Sequence, residues 1–177
     1  MILPSWHEEP VSKNHDRDAF DCGDPALNIF LSRHARQSHA HGGAKSFLAV
    51  RDDNPSIILG YYSVCPASIE FARTPAVVKR GLARYDVPVF RLCRLAVDRS
   101  MQSKGLGGQL LLSAGQRCIK ASQDVGGVAL LIDAKNDDAA CWYAGYGAIP
   151  LQDNPLALVL PLSTIQRTLF SAGITDY

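Results

Sequence analysis

No stretch of this chain stays apolar for long enough to span a bilayer. Its opening residues, Met1-Ile2-Leu3-Pro4-Ser5-Trp6, carry no basic start ahead of an apolar run. Neither a membrane anchor nor a signal peptide is therefore expected. Net charge is almost absent too, with 18 Lys and Arg against 17 Asp and Glu. A general affinity for nucleic acid is excluded on that ground, so any basic surface must be local. Cysteine is sparse and unpatterned. The five, Cys22, Cys65, Cys93, Cys118 and Cys141, are odd in number and never spaced C-x-x-C. Neither zinc nor a disulfide scaffold is implied, and a reduced, cytoplasmic setting fits. Repeats and low-complexity segments are lacking. What remains, over residues 1–177, reads as one globular domain long enough to bury a core.

The first positive signal is the stretch from Arg94 to Leu111. It reads as a buried strand, a glycine-studded turn and the start of a helix. Gly105, Gly107 and Gly108 lack Cβ atoms, so the backbone there can adopt positive φ and approach a ligand closely. Leu106, Leu110, Ala114 and Cys118, with Leu111 beside them, paint one helical face. Backbone amides at such a helix N-terminus suit an anion such as a phosphate. A Walker loop is excluded, because Lys104 precedes the glycine and no Ser or Thr follows it. A dinucleotide fingerprint beginning at Gly105 would need glycine where Leu110 stands. The pattern left is Gln102-x-x-Gly105-x-Gly107.

Around it the chain alternates strand and helix signals. Residues 1–19 are polar and irregular after a short apolar opening. Asp24 and Pro25 open a helix that runs to about His39, with Leu27, Phe30, Leu31 and His34 inward. Lys45–Arg51 and Ser56–Val64 form a hairpin around Asp52-Asp53-Asn54-Pro55. Gly60 in its second strand marks a bend or a close approach. Residues 69–86 form a basic, loosely helical connection. Val87–Val97 is the central strand, Gly105 to about Asp124 the following helix, and Gly127–Ala134 a strand buried on both faces. Asn136 or Asp137 caps a short helix through Trp142 and Tyr143, ended by Gly145 or Gly147. Ala157–Leu162 is a last strand, and Ser163–Ser171 a terminal helix. This order implies a mixed α/β sheet with a right-handed crossover between its two apolar strands. His34, His39 and His41 lie close in sequence, but no cysteine or carboxylate nearby completes a ligand set, and no metal is expected.

The turn Gln102-x-x-Gly105-x-Gly107 resembles the Q/R-x-x-G-x-G/A loop of GNAT acetyltransferases, which holds the pyrophosphate of coenzyme A. Further stretches narrow the likeness. They are Phe20-Asp21-Cys22-Gly23 with Leu27-Asn28-x-Phe30-Leu31, Gly60-Tyr61-Tyr62-Ser63, Pro88-Val89 before Arg94-Leu95-Ala96-Val97-Asp98, and Asp133-Ala134-Lys135 before Trp142-Tyr143. From Phe20 to Leu162 the chain resembles the TacT-like acetyltransferase toxins of bacterial toxin–antitoxin pairs. The resemblance implies a GNAT fold and transfer of acetyl from acetyl-CoA to the α-amino group of aminoacyl-tRNA, with translation blocked. It also implies a ribbon-helix-helix antitoxin and a homodimer. Ser103 departs from the family pattern, standing where glycine is usual.

On this likeness, Gln102, Ser103, Lys104, Gly105, Gly107 and Gly108 cradle the pyrophosphate. The main chain of Leu95, Ala96 and Val97 pairs with the pantetheine arm, and Asn136 bonds that arm or only caps its helix. Tyr143 is the general acid for the departing thiolate, since a phenol with pKa near 10 stays protonated at neutral pH. Tyr146 is the nearby decoy. No general base is evident. Glu70 and Asp98 are the carboxylates beside these stretches, Asp98 reads as a strand end, and a water would serve for an amine partly neutral at cellular pH. An RNA acceptor needs a cationic surface. Lys79, Arg80, Arg84 and Arg91 offer one group of cations, continued by Arg94, Arg99 and Lys104; Arg33, Arg36 and Lys45 offer another. Asp133, Asp137, Asp138 and Asp153 suggest a more acidic opposite face. Two other functions share parts of this pattern. An ordinary GNAT acting on a small amine or a protein N-terminus needs no basic stripe. A non-catalytic acyl-CoA-binding module would tolerate loss of the Tyr143 hydroxyl.

Overall fold

The computed structural model describes residues 2–177. Seven strands form a mixed sheet in the order β1-β2-β3-β4-β5-β7-β6, flanked by helices. The chain divides into two compact units: residues 1–65 with 93–114, and residues 66–92 with 115–177.

In the first unit, β1 (Trp6–Pro10) pairs antiparallel with β2 (Lys45–Arg51). It falls where the sequence suggested irregular chain. Its middle residues are polar, and side chains distant in sequence hold it: His7 bonds Asp52 at 2.7 Å, and the Tyr62 hydroxyl donates to Glu8 at 3.0 Å. β3 (Ile58–Ile69) follows antiparallel to β2 and runs five residues past the expected end at Val64.

The helix expected from Pro25 to about His39 is three consecutive pieces. α1 (Pro25–Ile29) is capped by the Asp24 side chain, a π-helical turn spans Phe30–His34, and α2 (Ala35–Ala40) completes it. The π turn inserts one residue, so the inward slot passes from His34 to Ala35. Ala35 is fully buried and His34 is exposed, which corrects the inward placement of His34. Phe30, Leu31 and Ala35 pack with Phe20, Leu48 and Tyr61, and the buried Tyr61 hydroxyl donates to the Leu27 carbonyl at 2.8 Å.

Gly60 sits where β3 meets the end of β4 (Val87–Val97). A Cβ there would lie 2.8 Å from Leu110 Cδ1 and 2.9 Å from the Ala96 carbonyl oxygen. The close approach read from this glycine is real, and it sets how tightly the end of β4 is held.

In the second unit β4 pairs in parallel with β5 (Ala129–Asp133) over Phe90–Leu92 and Leu130–Ile132. Between them in sequence lies α4 (Leu106–Val125). Its face of Leu106, Leu110, Leu111, Ala114 and Cys118 is buried as the spacing required. α5 (Asp137–Ala144) leads to β6 (Ile149–Leu151), a strand not anticipated because it is short and contains Pro150. β6 forms a tight hairpin with β7 (Asn154–Pro161), which therefore starts before the expected Ala157. β7 runs antiparallel to β5, and α6 (Leu162–Ser171) closes the chain. Ile69, Val87, Val89, Leu131 and Val159 form this unit's core.

The Gly60→Ala variant tests the close approach. Leu110 can turn aside, but a carbonyl oxygen of β4 cannot. Overpacking of this kind costs about 1–3 kcal/mol. Urea unfolding of the variant is expected to show a lower midpoint with an unchanged slope.

Candidate active site

β4 ends at Val97, and the chain must then turn to enter α4. Asp98 begins the turn. Its carboxylate accepts from Ser100 N at 3.0 Å, Ser100 Oγ at 2.6 Å and Asp21 N at 3.0 Å. Three donors occupy it, as the strand-end reading of Asp98 expects. A short 3₁₀ turn, Arg99–Met101, follows. Gln102 then folds back. Its side-chain amide donates to the Val97 carbonyl and to the Cys22 carbonyl, each at 2.9 Å.

The last part of the turn is left-handed. Ser103 has φ +62° and Gly105 has φ +85°. Ser103 is the non-glycine residue with positive φ among the described residues. Such a conformation costs a side-chain-bearing residue about 1–3 kcal/mol. A Cβ on Gly105 would meet nothing within 4 Å, so the space above it is open. Left-handed residues before a helix start turn successive amides toward one concavity, and the first amides of α4 have no intrahelical acceptor. The residues fit a diphosphate.

Gly107 and Gly108 behave differently from Gly105. They lie inside the first turn of α4 and have ordinary helical backbone. Of the three glycines free to adopt positive φ, Gly105 does so. The Lys104 ammonium bonds the Ser100 carbonyl, closing the turn from its own side chain. Leu95, Ala96 and Val97 occupy the end of β4, and Ala96 is buried.

The Phe20-Asp21-Cys22-Gly23 stretch acquires a role that no sequence signal revealed. Asn28 on α1 binds it from below: its amide nitrogen donates to Asp21 at 2.8 Å and its oxygen accepts from Cys22 N at 3.0 Å. Asp21 in turn accepts Arg99 N at its carbonyl, 2.9 Å away, and pairs with the Arg99 guanidinium at 3.5 Å. This turn is the brace on which the 98–102 segment rests.

In the second unit, α5 carries Tyr143. Asn136 caps the helix, its side-chain oxygen accepting from Ala139 N at 2.9 Å. The capping alternative for Asn136 is thus present. Asp137 and Asp138 occupy the first turn, where acidic groups suit the helix dipole. Tyr143 is half-buried, with the Trp142 ring against it edge-on at 4.9 Å. Burial pushes its phenol up to about 12. Tyr146 lies against the other side of Trp142, 5.0 Å between ring centres. Glu70 is exposed and starts the 3₁₀ turn Phe71–Arg73.

The basic residues separate into kinds. Arg80 and Arg84 are exposed. Lys79 donates to the Phe71 carbonyl at 2.9 Å and lies over the Phe71 ring. Arg91 pairs with Asp133, and Arg73 pairs with Asp153 at 2.7 Å. Two of the four aspartates assigned to an opposite, acidic face are therefore bound to arginines instead. Arg94 lies over Phe30, its guanidinium carbon 3.4 Å from the ring centre. Arg33 and Arg36 are exposed and line one pocket with Arg17. Among the described residues no cluster of three or more His, Cys, Asp or Glu side chains could hold a metal ion.

The chain is 35% identical over 150 residues to a tRNA-acetylating toxin of Mycobacterium tuberculosis, covering 85% of this chain and 88% of that protein. The chain belongs to the TacT-like GNAT acetyltransferase toxins. It is also 28% identical to a protein of Sinorhizobium fredii named probable toxin TacT, over 91% of this chain and 93% of the other. Among solved structures it is similar to AtaT complexed with acetyl-methionyl-tRNAfMet, at 31% identity and TM-score 0.85, covering 93% and 99% of the two chains. A tyrosine-to-phenylalanine variant of AtaT, bound to the C-terminus of the antitoxin AtaR and to acetyl-CoA, matches at 30% identity and TM-score 0.79, covering 93% and 98%. No protein-family model matches the chain.

Within this family the strain at Ser103 is open to measurement. Ser103→Gly relieves about 1–3 kcal/mol of left-handed strain and returns about 0.4–1 kcal/mol through the freer unfolded chain. A net stabilisation of about 1 kcal/mol is expected in urea unfolding. A urea midpoint lowered by the substitution, the unfolded-chain effect alone, would mean that Ser103 is not strained.

Proposed function

We propose that this chain, acting as one domain over residues 1–177, moves the acetyl group of acetyl-CoA to the α-amino group of aminoacyl-tRNA and so inhibits translation. The observation that carries the reading is the turn Gln102–Gly105. It presents a left-handed, open stretch of main chain ahead of α4, fitted to a diphosphate. The tRNA acceptor is argued from the tRNA-acetylating relative and from the AtaT complex with acetyl-methionyl-tRNAfMet.

Acetyl-CoA supplies the activated acetyl group. In this reading the amides from Lys104 to Gly108 hold its diphosphate, with Gln102 and Ser103 among the cofactor-binding residues of the turn. The main chain of Leu95, Ala96 and Val97 pairs with the pantetheine arm, joined by the part of the Asn136 side chain not used in capping. A main-chain amide there steadies the thioester oxygen, a contribution typically worth about 3 kcal/mol of barrier. Tyr143 gives its proton to the thiolate as it leaves. Both carboxylates considered as bases are unsuited, Asp98 by its three donors and Glu70 by its exposed place outside α5. The α-amine of an aminoacyl ester needs only a water to lose its proton.

Arg33, Arg36, Lys79, Arg80, Arg84 and Arg91 are the proposed RNA-facing cations. Arg80 and Arg84 are the most available of them, being exposed. A ribbon-helix-helix antitoxin, a homodimer and a cytoplasmic location complete the proposal. The bound C-terminus of AtaR on AtaT supports an antitoxin partner. No helix among the described residues is long and apolar enough to cross a membrane.

The deciding experiment incubates the purified protein with labelled acetyl-CoA and total charged tRNA. Label is expected on the α-amine of the aminoacyl group. Label found only on small amines or protein N-termini would select the ordinary GNAT reading. Tyr143→Phe removes one hydroxyl and is expected to lower kcat about 10²–10⁴-fold, with acetyl-CoA still bound and growth arrest on expression abolished. The pH profile carries a second signature. An acid whose pKa is raised keeps its proton to higher pH. An ordinary phenol would begin to fail near pH 10, whereas with Tyr143 at about 12 no descending limb in kcat is expected there.

A further inference from the structure

Cysteines that the sequence scatters are brought together by the first unit of the fold. Cys65 on β3 and Cys93 on β4 are 28 residues apart, and their sulfurs lie 3.1 Å from one another. The two strands are neighbours in the sheet. They run in opposite directions there. Asp98 N, just past the end of β4, bonds the Leu59 carbonyl near the start of β3 at 2.9 Å, whereas Cys93, earlier on β4, meets Cys65, later on β3. Facing residues on antiparallel strands have Cα atoms about 4.5–5.5 Å apart, inside the range a disulfide spans. Both residues are thiols, not joined as a disulfide, and both are half-buried. A covalent bond needs about 2.05 Å between the sulfurs, so closure calls for a shift of about 1 Å. The remaining thiols are placed differently. Cys22 donates to the Asn28 side chain at 3.2 Å, Cys118 is buried, and Cys141 is exposed on α5. The position of Cys93 gives the pair its interest. β4 keeps register with β5 over Phe90–Leu92, and Cys93 is the next residue. Side chains alternate along a strand, so Cys93 shares a face with Leu95 and Val97.

We propose that Cys65 and Cys93 are a redox-modification site: hydrogen peroxide joins them in a reversible disulfide, and the bond lowers the use of acetyl-CoA. One thiol, as thiolate, attacks a peroxide oxygen. The O–O bond breaks, a sulfenic acid forms, and the departing hydroxide takes up the thiol's proton as the first water. The second thiolate attacks the sulfenic sulfur. The S–S bond forms, the S–O bond breaks, and the hydroxyl leaves with the second thiol's proton as another water. The two sulfurs lose two electrons together and the peroxide gains them. A dithiol reverses the bond by exchange. A second thiol in contact is what turns a sulfenic acid into a disulfide before further oxidation. In a reducing compartment such a pair stays a dithiol until an oxidant arrives, and disulfides formed there are mostly transient and redox-sensing. The effect on acetyl-CoA rests on the acetyl-transfer reading above. The main chain of Leu95–Val97, read as pairing with the pantetheine arm, begins just after Cys93. It is held on β3 by the close approach at Gly60 and by the Asp98 bond to Leu59, so it has little slack. Drawing Cys93 onto Cys65 shifts a main chain that is set in the thiol form, and a misplacement of about 1 Å can cost about 10²-fold in rate.

The test takes the full chain, fully reduced and then treated with hydrogen peroxide. Peptide mapping without reductant is expected to show Cys65 and Cys93 linked within one chain, lighter than the dithiol by two hydrogens. In the same sample kcat/KM for acetyl-CoA is expected to fall about fivefold or more and to return with dithiothreitol. Cys65→Ser is expected to match the reduced parent in activity and to lose the response to peroxide, and Cys65→Ala serves if the serine variant does not fold. Cys141→Ser is expected to respond as the parent does. The proposal is overturned if no Cys65–Cys93 peptide forms, or if peroxide links only the other cysteines. It is overturned equally if the linked protein keeps its kcat/KM, if Cys65→Ser still responds, or if Cys141→Ser does not. The peptide map and acetyl-CoA binding by calorimetry are both read without turnover. A failure of the acetyl-transfer reading therefore shows separately, as a reduced parent that forms the linked pair but neither binds nor spends acetyl-CoA. That result upholds the modification site and overturns its effect on the cofactor.

Discussion

One carboxamide holds the candidate site in shape. The Gln102 side chain reaches two carbonyls that belong to distant parts of the chain, Val97 at the end of β4 and Cys22 in the brace. The two carbonyls lie 75 residues apart in the chain, and one side chain bonds both. By satisfying both, the amide pulls the turn tight against the strand it has just left. The tightness forces the next residues through left-handed backbone before α4 can begin. Gly105 enters that region without cost, and Ser103 does so against its own side chain. On the proposed reading, the strain is stored where an incoming diphosphate would need fixed amides. Rigidity here is a form of preorganisation: donors already aimed need no reorganisation when charge arrives.

The parts of this arrangement that were legible in the sequence are those fixed by local rules. Glycine spacing, the apolar face of α4 and the cap at Asn136 each depend on residues a few positions apart, and each is found where it was read. The brace was visible only as a string of residues shared with relatives. Its function depends on contacts such as Asn28 to Asp21 and Asp21 to Asp98, and the second spans the chain from its first turn to the end of β4. No periodicity encodes that. β1 escaped for the same reason, since its pairing with β2 is secured by His7 and Glu8 reaching partners far along the chain. The π turn was hidden differently. Leu27, Phe30, Leu31 and His34 fit an α-helical stripe well, and only the packing of Ala35 beneath it shows that one residue had been inserted.

Charge shows most clearly why counting along a sequence misleads. Arginines crowded into one segment looked like a continuous cationic stripe, and aspartates elsewhere looked like its counterweight. Folded, Arg91 and Arg73 are paired with Asp133 and Asp153, Lys79 is turned onto Phe71, and Arg94 is laid on Phe30. Exposed pairs of this sort add little stability, with a median near 0–1 kcal/mol. Their larger effect is on the field: each paired arginine is removed as a long-range attractor. Among the cations proposed to face RNA, Arg80 and Arg84 in one unit and Arg33 and Arg36 in the other stay exposed, and on that proposal they carry more of the attraction than their share of the sequence suggests.

The chemistry of Tyr143 follows from what surrounds it as much as from the phenol. No charged group contributes to its raised pKa; burial alone does. An acid tuned by a neighbouring carboxylate would change strength whenever that neighbour titrated. One tuned by burial keeps its proton across the whole cellular pH range. A weaker acid gives its proton up late, once the sulfur has become a strong base, so the proton transfer is tied to departure of the thiolate. The same logic accounts for the missing base. An ammonium of ordinary lysine basicity would need a carboxylate to deprotonate it, and Asp98 already accepts from three donors. A less basic amine needs none. On the proposed reading, a tyrosine acid with no side-chain base assigned beside it matches an α-amine that is already partly neutral, such as the one on an aminoacyl ester.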